Sequence, residues 1–427
     1  MAVRTATSSS YWRDYILTSR WFQGKGLPLG EVMLTDLPWY VSTPSVQVRS
    51  ELARVDVDGV QQCYHLLVGY LPPGEGEPQA VVGQIDLPGR GLVDVVDVPQ
   101  SPRATAALLE GLTSGKTPGL TWRGAPPDPH APTAVFEGEQ SNTTIRIGDD
   151  LLFKVFRRLD PGPNLEALTL AKLADCDITP ELVGVLSSPD HRYDLGIFVE
   201  RVDHEADGWG HCVRAGQAGR AITTEMSALG ATLRDLHHRL AQAFGVSSED
   251  TAAIGADMLA RLDSAVLLAP ELAEVKPQLK AILTVDSTPI ATQRVHGDFH
   301  LGQALRTPTG WTIIDFEGEP LKTPAERAAP DTVWRDVAGL LRSLDYARET
   351  SQRLTRQPLD QWYQDARRAF LAGYLEGADL PTRLLTAYEV DKAVYELLYE
   401  IRNRPSWASI PRRAIRSAIT RYETEHN

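Results

Sequence analysis

Residues 295–303 read Val-His-Gly-Asp-Phe-His-Leu-Gly-Gln, and a short apolar run separates them from Asp-Phe-Glu-Gly-Glu at residues 315–319. Asp298 stands five residues before Gln303, which stands twelve residues before Asp315. One loop can therefore carry Asp298 and Gln303 while the end of the next strand presents Asp315. Phosphoryl transfer needs a carboxylate that takes or orients the proton of the attacking hydroxyl, and oxygen ligands that hold magnesium against the nucleotide phosphates. The spacing predicts Asp298 as catalytic base and Gln303 and Asp315 as magnesium ligands.

The first of these segments allows a second chemical interpretation. His296, Asp298 and His300 alternate, and alternate residues of a strand share a face, so they could bind a transition metal. No further histidine or cysteine lies nearby in the sequence to complete such a site. Acidic turns of this kind are also common as purely structural features. The order and spacing of the two segments, together with a lysine upstream, favour the kinase interpretation.

That lysine is Lys154, in the apolar run Leu-Leu-Phe-Lys-Val-Phe of residues 151–156. A lysine in the middle of a strand is costly unless its ammonium group is paired. Nucleotide phosphates and a carboxylate on the following helix would pair it. Glu166 is the nearest candidate for that carboxylate, although its position is equally typical of a solvated residue.

Two further segments are candidates for nucleotide contacts. The polar loop at residues 139–144 could present Ser141 and Asn142 to phosphates, as a glycine-rich loop does. Glu200 and Val202 lie where the strand-rich sequence gives way to helical sequence, and their backbone could bind an adenine edge. A plain connector is an equally good interpretation of that second segment.

The order of predicted elements indicates an α+β protein. Strand-like runs and turns dominate the first ninety residues, a hairpin pattern with a turn at Gly148 spans residues 141–156, and the sequence after Val202 is mostly helical, notably at 225–240 and 382–402. Residues 118–132 are rich in glycine and proline and form a candidate boundary. We expect a cap at 1–90, a small α+β nucleotide-binding lobe at 91–202, and a helical lobe with the catalytic and sugar sites at 203–427.

Composition excludes some classes of function. The 427 residues include 43 lysines and arginines against 56 aspartates and glutamates, a formal charge of -13, which argues against nucleic acid or an anionic membrane as partner. Cys63, Cys176 and Cys212 are few and far apart, so no disulfide framework is predicted. No apolar run approaches the length of a membrane span, and the start has no signal-peptide core. We expect a cytoplasmic protein, and a monomer.

Beyond these patterns, the chain resembles the actinobacterial maltokinase-like group of the aminoglycoside phosphotransferase-like branch of the eukaryotic-type kinase fold. The resemblance rests on segments spread over nearly the whole chain: 20–22, 139–142, 152–158, 296–303, 315–320, 335–343 and 399–407. It implies a bilobal kinase with an N-terminal β-rich cap and a large helical C-lobe. It also implies ATP between the lobes, with Lys154 on the phosphates, Asp298 as base, and Gln303 and Asp315 on Mg²⁺.

The group includes maltose kinases and glucosamine kinases, so the acceptor sugar must be argued separately. Candidate substrate-binding residues are Asp298, Glu319, Arg335, Asp345, Glu400, Arg404 and Trp407. Converging carboxylates would favour an ammonium-bearing sugar, or they could pair with the arginines in a structural network. Trp334, where the group usually has an aliphatic residue, could shorten the pocket or pack in the core. Trp407 could stack on a sugar or cap the last helix.

We therefore expect an ATP-dependent sugar kinase that converts D-glucosamine to glucosamine 6-phosphate. One alternative is a maltokinase that makes maltose 1-phosphate. An alternative of another class is a nucleotide-binding pseudokinase or regulatory protein, which would have no need to retain Asp298, Gln303 and Asp315 together.

Overall fold

The computed structural model describes residues 3–5, 9–22, 24–136, 141–319 and 322–426. The chain forms two compact units, one of residues 1–174 and 180–202 and the other of residues 175–179 and 203–427. The first unit contains both large sheets, and the second is mostly helical. This α+β architecture with a helical C-terminal part confirms the predicted fold class.

The first unit has thirteen strands and three helices in its described residues. The strands are β1 (Val3–Thr5), β2 (Leu29–Ser42), β3 (Gln47–Val57), β4 (Val60–Leu71), β5 (Val81–Leu87), β6 (Gly91–Asp97), β7 (Leu120–Trp122), β8 (Thr133–Val135), β9 (Thr143–Ile147), β10 (Leu151–Val155), β11 (Arg158–Leu159), β12 (Leu182–Ser187) and β13 (Asp194–Glu200). The helices are α1 (Ser9–Thr18), α2 (Pro102–Thr113) and α3 (Leu165–Lys172).

An antiparallel sheet in the order β1-β2-β3-β4-β6-β5 forms the N-terminal cap. Strands β3 and β4 are joined by Asp58 and Gly59, whose φ angles of 52° and 82° are those of a tight hairpin turn. One face of the sheet buries an aromatic cluster that includes Trp12, Trp21 and Tyr64, each at most 7% exposed. Strand β6 belongs to this sheet, so we propose that the cap extends past residue 90 to the end of β6.

The second sheet has the order β7-β12-β13-β10-β9-β8 and carries Lys154 on the central strand β10. Strands β9 and β10 form the predicted hairpin, and Gly148 in its turn has a φ of 59°. Helix α3 follows, with the Asn164 side chain accepting hydrogen bonds from the backbone of its first turn. The glycine- and proline-rich segment 118–132 is not wholly a linker, because it contains β7, which pairs with β12.

The second unit has nine helices and five short strands in its described residues. The helices are α4 (Gly208–Gln217), α5 (Thr223–Phe244), α6 (Thr251–Leu268), α7 (Lys276–Leu283), α8 (Pro324–Ala328), α9 (Trp334–Thr355), α10 (Asp360–Leu375), α11 (Thr382–Asn403) and α12 (Ser409–His426). The strands are β14 (Ala206–Asp207), β15 (Val246–Asp250), β16 (Pro289–Gln293), β17 (Ala304–Thr307) and β18 (Gly310–Ile313).

Helix α9 lies at the centre of this unit and packs against α4, α10 and α11. The apolar face predicted for α11 is largely confirmed, because Leu384, Leu385, Tyr388, Val394 and Leu397 are all buried, while Leu398 and Ile401 are partly exposed. In the short sheet β14-β17-β18, the hairpin of β17 and β18 connects Gln303 to Asp315. Helix α9 and this sheet together support the loop that bears Asp298.

Two remaining expectations concern cysteines and membranes. Cys63, Cys176 and Cys212 are buried and form no disulfide, as predicted. Among the described residues, no helix is both long enough and apolar enough to cross a bilayer.

Candidate active site

The loop that carries Asp298 is fixed by a buried carboxylate of α9. Asp336 accepts hydrogen bonds from the backbone amides of His296 (2.7 Å) and Gly297 (2.9 Å) and from His237 Nε2 (3.0 Å). Burial alone would raise the pKa of Asp336, but its hydrogen bonds with His237 and with the Gly297 amide outweigh burial and lower the pKa. Gly297 has a φ of 86°, a conformation that side-chain-bearing residues rarely adopt. The sequence His-Gly-Asp therefore makes a sharp turn directly before Asp298.

His296 is committed to this turn through both ring nitrogens. Its Nε2 donates to the carbonyl oxygen of Ile314 (2.9 Å), and its Nδ1 accepts from the amide of Asp298 (3.4 Å). His300 Nδ1 similarly accepts from the amide of Gly302 (3.1 Å). With no free nitrogen on His296, the transition-metal interpretation loses one of its three ligands.

Gln303 and Asp315 are brought together, as their spacing suggested. Gln303 ends a short 3-10 turn, and its carbonyl oxygen accepts from the amide of Ile314 (3.0 Å). Its side-chain Nε2 donates to Asp315 Oδ2 (2.9 Å). Asp315 has a φ of 68°, and an aspartate held in this sparsely populated region is typical of a functional site. A carboxylate and an amide side by side offer the oxygen ligands that Mg²⁺ prefers.

Lys392 on α11 is a site residue that the sequence analysis missed. Its Nζ lies 3.1 Å from Glu319 Oε1 and 3.4 Å from Asp298 Oδ1. Burial alone would lower the pKa of Lys392, but the two carboxylates outweigh it and hold the pKa above its ordinary value. A signal was present, because Lys392 continues the three- and four-residue spacing of the buried face of α11, where a lysine requires a partner.

Glu319 and Arg335 form the next layer of the site. Arg335 Nη2 donates to Glu319 Oε2 (2.9 Å) and Nη1 donates to Asp331 Oδ2 (3.0 Å). The Arg335 Nε lies 3.5 Å from the carbonyl oxygen of Gly297. Glu319 is buried, which alone would raise its pKa, but Lys392 and Arg335 lower it. Glu319 is therefore a paired carboxylate, and Arg335 supports the Asp298 loop.

The other predicted substrate-binding residues lie in a separate network of ion pairs. Asp345 accepts from Arg342 (2.8 Å) and Arg348 (3.0 Å). Glu400 accepts two hydrogen bonds from Arg404, at 2.7 and 3.0 Å. Within the part of the chain that the structure describes, no hydrogen bond or ion pair joins Asp345, Glu400 or Arg404 to Asp298. The structural-network interpretation of these carboxylates is thus the one that the contacts support.

The two tryptophans differ in their surroundings. Trp407 is half-buried and lies nearly parallel to Tyr346, with ring centroids 6.3 Å apart and an interplanar angle of 12°, and the Arg404 guanidinium lies 5.3 Å from its ring. Trp334 is 8% exposed and packs edge-on against Tyr374 of α10. The contacts of Trp334 favour packing in the core over a role in the sugar pocket.

The first unit contains the candidate nucleotide residues. Lys154 Nζ lies 2.6 Å from Glu166 Oε2, so the pair suggested by the sequence is formed. Asn142 is buried, and its Oδ1 accepts from the amide of Arg157 (3.3 Å), whereas Ser141 is exposed. Of the rest of the predicted polar loop, residues 139 and 140 lie outside the described residues, and Thr143 and Thr144 begin β9.

The segment predicted to contact adenine, Glu200 to Val202, falls at the end of the first unit. The Glu200 amide donates to the carbonyl oxygen of Glu181 (2.9 Å), and Val202 is the last residue of the unit. The Glu200 amide is therefore engaged within the protein, and an adenine contact would have to use another backbone group of this segment.

Comparison with known proteins identifies the family. A model of the phosphotransferase enzyme family matches residues 133–385, more than half of the chain, and includes Lys154, Asp298, Gln303 and Asp315. The chain belongs to the phosphotransferase enzyme family. A model of the maltokinase N-terminal cap domain matches residues 15–99, which span most of the cap sheet.

Two curated relatives have the same name. The glucosamine kinase of Streptacidiphilus jiangxiensis is 28% identical over 390 residues, which cover 79% of this chain and 87% of that protein. The glucosamine kinase of Mycolicibacterium smegmatis (strain ATCC 700084 / mc(2)155) is 24% identical over 307 residues, which cover 65% and 77%. A solved glucosamine kinase in complex with glucosamine, ADP and inorganic phosphate has a TM-score of 0.64 at 22% identity and covers 96% of this chain and 98% of that one. This structural likeness shows that the fold is shared.

Proposed function

We propose that the protein is an ATP-dependent sugar kinase that phosphorylates D-glucosamine to glucosamine 6-phosphate. The observation that carries the proposal is the fixed position of Asp298, whose loop is held by Asp336 next to the paired Gln303 and Asp315. A family of phosphotransferases requires this combination of a base and oxygen ligands. The relatives named glucosamine kinase support the choice of sugar.

In the proposed reaction the sugar hydroxyl oxygen attacks the γ-phosphorus of ATP while its proton passes to Asp298. The bond between the γ-phosphorus and the bridging oxygen breaks, and ADP leaves. Lys154, oriented by Glu166, would neutralise charge on the nucleotide phosphates. Gln303 and Asp315 would hold Mg²⁺, which supplies further neutralisation when it is bound.

Lys392 gives the acceptor site a character that the sequence did not suggest. It stands between Asp298 and Glu319, so an incoming ammonium group does not meet two unpaired carboxylates. The charges around Asp298 therefore largely balance one another, and a sugar hydroxyl can form a hydrogen bond there without a large electrostatic cost. The charge argument for an amino sugar is weaker than the sequence suggested, and the relatives' names carry that part of the proposal.

A second candidate is the formation of maltose 1-phosphate. The observation that favours it is the match of residues 15–99 to the maltokinase N-terminal cap domain. The two candidates require different acceptor hydroxyls and different pocket lengths, so they are distinguished by substrate and by product.

The test is a kinase assay with ATP and Mg²⁺ on glucosamine, maltose and N-acetylglucosamine, with the phosphorylated position assigned by NMR. We expect the highest kcat/KM on glucosamine and a 6-phosphate product. Equal or higher turnover of maltose would transfer the assignment to the second candidate. ATP binding without product on any sugar would favour a regulatory protein with a kinase fold.

A further inference from the structure

The strand that carries Lys154 continues directly into the cap sheet. Strand β10 ends at residue 155, and after two residues the chain pairs as β11 with β4 of the cap, in the register Arg158 with Tyr64 and Leu159 with Cys63. The amide of His65 also donates to the carbonyl oxygen of Arg157 (2.8 Å). The chain therefore passes from the nucleotide sheet to the cap sheet within a few residues of Lys154.

The side chain of His65 adds a second connection at the same place. Its Nδ1 lies 3.1 Å from the carbonyl oxygens of both Phe156 and Leu195. Carbonyl oxygens only accept, so Nδ1 carries the proton, and Nε2 accepts from the Ser50 hydroxyl (2.6 Å). A cap residue thus holds the end of β10 together with β13, the strand that pairs with β10.

Arg157 makes the third connection and is almost fully buried, at 1% exposure. Its Nη2 donates to both carboxylate oxygens of Asp97, at 3.0 and 3.2 Å, and Asp97 is the last residue of β6 in the cap. Its Nε donates to Thr143 Oγ1 (2.8 Å), and its backbone amide donates to Asn142 Oδ1 (3.3 Å). One residue therefore links the cap to the start of β9 and to the candidate phosphate loop.

We propose that the cap positions Lys154, with Arg157 as the positioning residue for nucleotide binding. The inference rests on the proposed function, in which Lys154 contacts the nucleotide phosphates. Lys154 can contact both Glu166 and a phosphate only if β10 keeps its position and its register in the sheet. The C-terminal end of β10 is held in place by Asp97, His65 and strand β4. Burying the Arg157–Asp97 ion pair costs desolvation free energy that a pair of apolar side chains would not cost. The ion pair also constrains the position of β10, and this constraint accounts for its presence.

The test compares the Arg157–Asp97 ion pair with a buried arginine that belongs to the cap sheet itself. Arg49 is 5% exposed, and its ionic partners Glu51 and Asp36 both lie in the cap sheet, so R49K is the matched control for R157K. The double variant D97L/R157M removes both charges and avoids an unpaired buried carboxylate. We expect R157K and D97L/R157M to raise KM for ATP about tenfold, the scale of a small misplacement of a binding group. We expect KM for the sugar to stay within about twofold of the wild type in both variants.

A second measurement does not depend on activity. Hydrogen exchange of the amides of residues 152–156 is expected to be faster in D97L/R157M than in R49K, at equal melting temperature. The inference is overturned if R49K and R157K raise KM for ATP equally, if neither raises it, or if exchange quickens without a change in KM. Failure of the proposed function is a different result: wild-type protein that forms no sugar phosphate, and K154M that binds nucleotide as well as wild type does.

Discussion

Asp298 is held by its backbone, so its side chain can be changed without dismantling the loop. The loop hydrogen bonds come from the amides of His296 and Gly297 to Asp336 and do not involve the Asp298 carboxylate. We expect Asp298→Asn to lower kcat by about 10²–10⁴-fold, because the amide cannot take the hydroxyl proton. The melting temperature and the affinity for ATP should remain close to those of the wild type. Near-normal turnover in this variant would remove Asp298 from the role of base.

Lys392 provides a prediction about activity. Its ammonium group lies 3.4 Å from Asp298 and 3.1 Å from Glu319, so Lys392→Met leaves two carboxylates close together without the cation that they share. We expect kcat to fall by at least about tenfold in Lys392→Met, because repulsion between the two carboxylates would displace Asp298. The control is Lys276→Met, which removes a lysine paired with Asp263 at the surface. A kcat that is unchanged in the Lys392 variant, or that falls equally in the control, would contradict this assignment.

At the scale of single residues, the sequence predicted those site residues that lie close together along the chain. Asp298, Gln303 and Asp315 lie within eighteen residues of one another, and Lys154 was conspicuous as a charge inside an apolar strand. Lys392 lies far along the chain on another helix, and only tertiary packing shows that it meets Asp298. The partners of Glu319 and Glu400 were among the arginines named in advance, but the choice between ion pairs and sugar contacts required side-chain positions.

Helix α9 supports the Asp298 loop along one of its faces. Asp336 accepts from the loop amides, and the Ser343 hydroxyl accepts from the amide of Leu301 (3.1 Å). Between them, a Cβ on Gly339 would lie 2.5 Å from the carbonyl oxygen of Phe299, so the helix backbone lies directly against the loop. These residues recur at three and four along α9, which places them on one face. The position of the Asp298 loop therefore depends on α9 as well as on the segment that follows β18.

A substitution in α9 tests this dependence. In Asp336→Asn, the new amide group meets three hydrogen-bond donors and can accept from them only through its oxygen. We expect a loss of about 3 kcal/mol in the free energy of unfolding, the scale for breaking a buried charged contact, together with a fall in kcat of at least about tenfold. The control is Glu389→Gln, which breaks the ion pair with Arg367 on α10. The control should lose stability without a comparable fall in kcat, and an equal fall in both variants would contradict the role of α9.

The elements themselves were predictable where their patterns were long. The hairpin of β9 and β10 and the helices α5 and α11 matched the sequence patterns because each has a turn signal or several turns of apolar spacing. Strand β11 has two residues and no periodicity of its own, so only the sheet reveals it. The composition of segment 118–132 suggested a boundary. Part of this segment nevertheless forms strand β7, because it pairs with β12 in the folded protein.

At the scale of the whole molecule, His65 links stability to pH. Burial lowers its pKa from 6.5 to about 3, so the folded protein keeps the ring neutral where the unfolded chain protonates it. Its contribution to stability is therefore present above pH 6.5 and is lost as the pH falls towards 3. We expect the free energy of unfolding to fall by up to about 1.4 kcal/mol per pH unit in this range because of His65.

Urea unfolding at pH 7 and pH 5 measures this contribution. His65→Asn keeps a donor near the position of Nδ1 but cannot take up a proton, so its stability should fall less between the two pH values than that of the wild type. The control is His130→Asn, because the His130 side chain is 78% exposed. It should retain the wild-type pH dependence, and an unchanged dependence in His65→Asn would contradict the linkage.

The pairing of β11 with β4 also sets an order of events during synthesis. Residues 63 and 64 leave the ribosome long before residues 158 and 159, which complete the sheet around them. Domains at the N-terminus generally fold first during translation, but this cap keeps an open stretch of strand edge until residues 158 and 159 have been synthesised. An open strand edge is where chains associate wrongly. The open edge of β4 therefore exposes the nascent chain to wrong strand pairing until β11 is added.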